Sequence, residues 1–324
     1  METFSNSELG CRRMCARKHK YKYIDLKVKS GEAEPLWFGS LVHAALELFW
    51  SDKELGLKEL IKELHDWADA NPYDRDSTYL MIQAEVMITG YWERWGSNRD
   101  EYTDRQAELV FQADIENPHA KFTGKIDAIA RHIKTGDLHL IEHKTTAMDI
   151  ADPAAMYWQR LSLDNQITGY QFAMMERFGE PITIIYDVLR KPTSKKPKMK
   201  KRVVKKKTET QEDFEIRKAD VMESNQEFAD RIREDYLAKL PELCVRRHIH
   251  RTQKNRDEWK QEVNDTINQI LESKRSFDPV FTKNDTACTM YNTLCEYFLV
   301  CCGMGNLDSD SFRSKGAKHE ELQA

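Results

Sequence analysis

The sequence lacks long hydrophobic runs: no apolar stretch approaches the roughly 20 residues that a membrane-spanning helix requires. The opening METFSNSELGCRRMC is polar and basic, unlike the apolar centre of a secretory signal peptide. The chain of 324 residues also has no internal repeat and no glycine- or serine-rich linker that would divide it. We therefore expect a soluble, cytoplasmic protein in which residues 1–210 form the core and residues 211–324 form a helical extension packed back on it.

A large net charge is also absent, since the formal value is only −4, but the basic residues are grouped. Between positions 12 and 22, lysines and arginines alternate with His19 and Tyr21, and cations among aromatic rings suit a single-stranded nucleic acid. A second segment, 194–210, has nine basic positions and no aromatic ring. It could extend a strand pair or form a mobile loop. A solvated, like-charged surface is the alternative for both segments.

The stretch FTGKIDAIARHIKTGDLHLIEHKTT predicts two strands joined by a tight turn at 134–137. Glu142 and Lys144 are two residues apart, so they project from the same face of their strand. A hairpin symmetric about Thr135–Gly136 would place Asp127 opposite Lys144 and diagonal to Glu142. Two carboxylates and an ammonium group then converge, as divalent-metal hydrolysis of phosphodiesters requires. The alternative is a solvated hairpin with a simple cross-strand ion pair.

Hydrophobic periodicity predicts a mixed α/β fold, with a central sheet flanked by helices. An apolar helix over 36–50 carries His43 on one face, and a helix over 165–178 carries Gln166 and Tyr170 one turn apart. A neutral imidazole beside two carboxylates would favour Mn²⁺ more than an all-oxygen site does. Further helices are predicted at 54–70, 77–95, 211–240 and 255–275, and further strands at 107–115 and 182–191. Glu108, in the first of those strands, has no predicted role.

Seven cysteines in a reducing compartment indicate metal binding rather than a disulfide framework. Cys288, Cys295 and Cys301 are separated by six and then five residues, and a fourth ligand must come from elsewhere, with Cys11 and Cys15 as candidates. Zinc modules usually contain closer cysteine pairs, so a [4Fe–4S] cluster is the first hypothesis, zinc the second, and ordinary buried thiols the third. Such a site would staple the two ends of the chain together.

Taken in order, these motifs resemble one family, the RecB-like branch of the PD-(D/E)XK nucleases, and in particular its iron–sulfur members. Those members include the AddB nuclease, CRISPR-associated spacer-acquisition nucleases and phage exonucleases. The matching elements are G-x₃-H at Gly39–His43, the aspartate of GKID at Asp127, E-x-K at Glu142–Lys144, Q-x₃-Y at Gln166–Tyr170, and the flanking cysteines.

The resemblance implies a restriction-endonuclease-like core and metal-dependent exonuclease action on DNA ends, often single-stranded, in recombination, repair or phage DNA metabolism, in a bacterial or phage-infected cell. It implies that His43, Asp127 and Glu142 bind one or two Mn²⁺ or Mg²⁺ ions, and that Lys144 positions water. Gln166 and Tyr170 would hold the substrate.

The resemblance also bears on the cluster ligands. The distance from the N-terminal leucine favours Cys15 over Cys11, although Ala16 follows it where family members often have proline. Cys302 adjoins Cys301, so either could be the last ligand. An alternative function is a non-catalytic DNA-binding protein, or a structural iron–sulfur subunit of a recombination complex.

Overall fold

A computed structural model describes residues 1–51, 54–277 and 279–322. The strands are β1 (Glu2–Ser5), β2 (Lys27–Lys29), β3 (Tyr102–Ala113), β4 (Ala120–His132), β5 (Leu138–Thr146), β6 (Ile182–Arg190), β7 (Cys244–Ile249) and β8 (Phe312–Ser314). The α-helices are α1 (Asn6–Met14), α2 (Ala16–His19), α3 (Glu34–Trp50), α4 (Leu57–Ala70), α5 (Thr78–Trp95), α6 (Met156–Leu161), α7 (Asn165–Phe178), α8 (Gln211–Ala219), α9 (Asn225–Leu237), α10 (Leu240–Leu243), α11 (Gln253–Arg275) and α12 (Phe298–Cys301). No helix in these described ranges is both long and apolar enough to cross a membrane.

Six strands form one mixed sheet, and β2 pairs with β8 in a separate two-stranded sheet. Strand β4 pairs with antiparallel β3 along one edge. Along its other edge it pairs first with parallel β1 and then with antiparallel β5. Strand β6 lies parallel to β5, and β7 closes the sheet beside β6. The predicted mixed sheet is confirmed, but residues 244–249 form a strand inside a region for which only helices were predicted.

Helices cover both faces of this sheet, which explains why β6 is buried at nearly every position and apolar at most of them. Helices α3, α4, α5 and α9 pack on one face, around Trp50 and Tyr91. Helices α7 and α11 pack on the other face, where Trp259 is 2 % exposed. The division of the chain at residue 210 stays a prediction.

A buried ionic group joins β7 to the centre of the molecule. The Asp187 carboxylate on β6 is fully buried and accepts hydrogen bonds from the Tyr91 hydroxyl (2.6 Å) and from Arg246 Nε (3.1 Å). Arg246 Nη2 also donates to the Tyr91 oxygen, at 2.7 Å. Because a buried carboxylate is stable only when it is paired, Arg246 on β7 supplies the cation that Asp187 on β6 requires.

The basic stretch at 12–22 lies between the two ends of the chain and largely contacts protein groups. Arg12 Nη2 donates to Ser273 Oγ (3.0 Å), Arg17 Nε donates to the Phe281 carbonyl (3.0 Å), and Lys18 is paired with Glu296 (3.1 Å). Each of these side chains therefore has a partner within the protein, and for Lys18 that partner is an anion. For these three residues, the expected single-strand contact stays a prediction.

Candidate active site

The candidate site lies where strands β4 and β5 part. The last residue pair between them is Ala128 with Ile141, so Asp127 and Glu142 are the first residues beyond it. The backbone N–H of His143 donates to Asp127 Oδ2 across the gap, at 2.7 Å. The two predicted carboxylates therefore lie side by side at a fork in the sheet.

The predicted register of the hairpin is wrong by two residues. The ladder continues through a hydrogen bond from His132 N to the Asp137 carbonyl, so the axis of the hairpin lies between residues 134 and 135. Gly136 has a φ of +77° and occupies the left-handed position that ends a four-residue loop. In this register Asp127 faces Glu142, whereas the sequence analysis placed it opposite Lys144.

Lys144 is held between two oxygen acceptors on the α7 side of the sheet. Its ammonium group donates to Glu142 Oε1 (2.5 Å) and to Gln166 Oε1 (3.1 Å). Gln166 Nε2 in turn donates to the Tyr170 hydroxyl oxygen, at 3.0 Å. The E-x-K and Q-x₃-Y motifs thus form one continuous hydrogen-bonded chain. Asp164 caps α7 and fixes its start, because its carboxylate accepts from the backbone N–H of Gln166.

The glycine of GKID is required by this arrangement. A Cβ atom on Gly124 would lie 2.8 Å from Tyr170 Cε1 and 2.9 Å from the ring of Phe111. Both rings are buried in the close-packed core, so neither can move aside without a loss of packing energy. Gly124 therefore lets Tyr170 pack against β4 and keeps its hydroxyl beside Gln166.

His43 approaches the fork from helix α3. Its Nδ1 lies 3.6 Å from Asp127 Oδ1. On the same side, the ring of His143 meets the ring of His43 edge-on, with centroids 6.0 Å apart. Burial lowers the pKa of His143 to about 4, so its imidazole is neutral near pH 7.

Glu108 is the residue that the sequence analysis left without a role. Within the described parts of the chain, one group of candidate metal ligands has all its ligand atoms within 4.8 Å of one another, and it consists of His43, Glu108 and Asp127. The β3–β4 register places Glu108 opposite Asp127, and its φ of +51° is rare for a residue with a side chain. Its carboxylate also pairs with Lys125. Such strain at a functional site is consistent with a role in ligand binding.

The charges at the fork are strongly coupled. Burial would raise the pKa of Asp127, but the neighbouring His43 and the nearby His143 and Lys144 hold the pKa of that carboxyl well below its usual range. Burial and the adjacent Asp127 raise the pKa of Glu142. Burial alone would lower the pKa of Lys144, yet Glu142 and Asp127 raise it above its usual value. Lys144 therefore stays cationic near pH 7.

This donor set fits a divalent cation. Asp127 and Glu108 supply hard oxygen ligands, and His43 supplies a nitrogen. Glu142 Oε2 is buried and has no hydrogen-bond partner within the described residues, which is costly unless a cation neutralises it. A cavity of about 570 Å³ is lined by His43, Glu108, Asp127 and Lys144, whereas Glu142 is neither in its wall nor in the compact ligand group.

Comparisons with known proteins identify the family of this chain. The model of the PD-(D/E)XK nuclease superfamily matches residues 3–302. A crystal structure from Eubacterium rectale named "Putative exonuclease" aligns with a TM-score of 0.50 and 15 % identity, over 94 % of this chain and 88 % of that one. At this identity the likeness concerns the fold. No curated protein matches the chain. Since the family model spans most of the sequence, this chain belongs to the PD-(D/E)XK nuclease superfamily.

Proposed function

We propose that the protein is a metal-dependent DNA exonuclease that hydrolyses phosphodiester bonds in bacterial or phage DNA metabolism. The observation that supports this most strongly is the fork between β4 and β5, where Asp127, Glu142 and Lys144 meet His43 and Glu108. The family supplies the reaction class, and the exonuclease named in the E. rectale structure suggests action at DNA ends.

In this proposal His43, Glu108, Asp127 and Glu142 hold one or two Mg²⁺ or Mn²⁺ ions. A bound ion of this kind activates water and offsets the charge that develops on the phosphate. Lys144, fixed by Gln166, presents an ammonium group that orients the attacking water or contacts a phosphate oxygen.

Two variants test the site. Glu142→Ala or Lys144→Ala should reduce cleavage of end-labelled DNA by at least a thousandfold, because each removes a charge from the reaction centre, while DNA binding stays measurable. The assay compares Mg²⁺, Mn²⁺ and EDTA on single-stranded, duplex and circular DNA. Full activity in either variant would refute the site. Metal-dependent release of nucleotides from ends, with circles intact, supports an exonuclease, whereas binding without any product favours a non-catalytic DNA-binding protein.

We further propose that Cys15, Cys288, Cys295 and Cys301 bind a [4Fe–4S] cluster. The segments that carry them meet: Cys295 N donates to the Cys288 carbonyl (2.8 Å), and Cys15 Sγ contacts the Thr282 carbonyl (4.0 Å). Cys15 and Cys295 are among the charged neighbours of Cys301, so thiols from both ends of the chain lie near one another. A cluster there would stabilise the junction between the chain ends.

The alternative ligands fit less well. Cys11 is buried inside the protein, whereas Cys15 is partly exposed and contacts the Thr282 carbonyl, and Cys302 is exposed beside the half-buried Cys301. Tetrahedral zinc with 2.3 Å bonds brings its sulfur atoms within about 3.8 Å of one another. No three cysteines of the described chain come within 4.8 Å. A four-iron cluster is a larger body and spaces its ligands more widely.

Anaerobic purification with iron, sulfide and zinc analysis tests this assignment. About four irons and four sulfides per chain, lost in Cys15→Ala but kept in Cys11→Ala, would support it. One zinc per chain would replace it with the zinc alternative.

A further inference from the structure

A second cavity, of about 730 Å³, adjoins the one at the fork, and the two share Pro35 and Thr145 in their walls. We call it the basic cleft, and its walls come from the start of α3, the start of α5, and the segments that follow β5 and β6. The chain from Lys144 to Met148 leads from the candidate active site into this cleft. Anything bound across the fork can therefore continue into it.

The basic cleft has an excess of positive charge. Its walls contain two carboxylates, Glu34 and Asp76, and five cations, which are Arg75, Arg160, Lys191, Lys195 and Lys196. Arg75 is paired with Asp74, whereas the other four cations, Arg160, Lys191, Lys195 and Lys196, form no ion pair with another described residue. Five neighbouring cations repel one another, so an anion that binds among them is favoured.

Only part of the lysine-rich segment 194–210 contributes to this charge. Lys195 and Lys196 line the basic cleft, whereas Lys200 lies outside it and is paired with Glu227 at 2.9 Å. Lys206 and Lys207 are also exposed and also lie outside it. The structure thus divides one run of lysines into a pair at the cleft and a group elsewhere.

Apolar surface accompanies the charge. Tyr79 and Leu80 on α5 line the cleft, and Met148 lines it on the opposite side with 40 % of its surface exposed. The Lys191 ammonium lies 4.0 Å from the centroid of the Phe38 ring, which holds this cation at the wall. Cations together with ring and thioether surfaces match the phosphates and bases of a single nucleic-acid strand.

The size of the cleft suits a short stretch of one strand. Its volume is about 730 Å³, within the range of sites that enclose small ligands. Cavities of this size hold a ligand of about two nucleotides.

We propose that the basic cleft binds the nucleotides of a single DNA strand next to the scissile phosphate, with Lys195 and Lys196 contacting successive phosphates. This inference rests on the proposed nuclease function. It adds the surface that receives an unpaired strand.

Binding measurements test the cleft independently of cleavage. Fluorescence anisotropy with labelled oligothymidylate of eight nucleotides in EDTA is compared for the unaltered protein, Lys195→Ser/Lys196→Ser, and the matched control Lys206→Ser/Lys207→Ser. Each lost phosphate contact should lower the slope of log affinity against log salt by about 0.7, so the cleft variant should lose about 1.4 and the control close to zero. Thermal melting checks that both variants are folded.

Each result has a defined meaning. Equal affinities and salt slopes in the cleft variant and the control would overturn the proposal. So would a blunt duplex that binds as tightly as the single strand and weakens equally in the cleft variant. Hydrolysis of bis(p-nitrophenyl) phosphate, which is too small to reach the cleft, tests the nuclease function separately in the unaltered protein. If it and DNA both stay intact with Mn²⁺, the proposed function fails, while the binding comparison still decides the cleft.

Discussion

Replacing Gly124 with alanine should disturb both the core and the candidate site. The new Cβ would lie 2.8 Å from Tyr170 and 2.9 Å from Phe111, well inside ordinary contact, and both rings are enclosed by other side chains. Overpacking of this kind costs about 1–3 kcal/mol. For 324 residues the entropy of unfolding is about 0.7 kcal/mol/K, so the melting temperature should fall by about 1.5–4.5 °C.

The same change should reduce cleavage. Movement of the Tyr170 ring withdraws the hydroxyl that receives Gln166 Nε2, and Gln166 helps to hold Lys144. Calorimetry gives the melting temperature, and single-turnover digestion with saturating Mn²⁺ gives the rate.

Gly10→Ala is the matched control, because a Cβ at this position in α1 meets no atom within 4 Å. Alanine there should stabilise the helix by about 0.5–1 kcal/mol. If Gly124→Ala melts at or above the temperature of the unaltered protein and keeps its full rate, the packing argument is wrong.

Two further predictions concern carboxylates. Glu108→Gln should weaken Mn²⁺ binding by at least about tenfold in isothermal titration, with activity recovered at high Mn²⁺, and unchanged affinity would remove Glu108 from the ligand set. Although burial opposes its ionisation, contacts with His19, His319 and Lys318 lower the pKa of Glu8 from 4.5 to about 2. Because this folded-state pKa is depressed, the ionised group contributes about 3 kcal/mol above pH 4.5, and this contribution is lost as the pH falls toward 2. Urea denaturation of Glu8→Gln should therefore show a loss of about 3 kcal/mol at pH 7 and almost none near pH 2; an equal loss at both would contradict the pKa argument.

Sequence patterns located most of the elements near the site. The apolar spacing over 36–50 matches α3, which begins at Glu34, and the predicted helix over 165–178 matches α7. Strand β6 was recognisable because it is buried on both faces and therefore apolar at most positions. These features depend on local periodicity, which a single sequence contains.

Features that depend on pairing between distant segments were missed. The register of the hairpin depends on the conformation of Gly136. Because the predicted turn was misplaced, Asp127 was expected opposite Lys144, two positions beyond its observed place opposite Glu142. Glu108 lies opposite Asp127 because of the β3–β4 register, and its own backbone has a positive φ there. The sequence did contain one signal for Glu108 as a ligand, namely a carboxylate within the strand that precedes the GKID motif. Strand β7, with the sequence CVRRHI, is too short and too basic to be distinguished from a loop.

Strand β7 also limits how the protein can be dissected. Arg246, on that strand, is the cation that compensates Asp187 beneath the fork. A fragment that stops at residue 210 would leave an enclosed negative charge without its guanidinium group, a penalty of about 3–5 kcal/mol on top of the lost sheet pairing. Biochemists who wish to isolate the half that carries the candidate site should therefore retain β7, whose Arg246 sets its electrostatic balance. They should also retain α11, because its Trp259 is buried against the other face of the sheet.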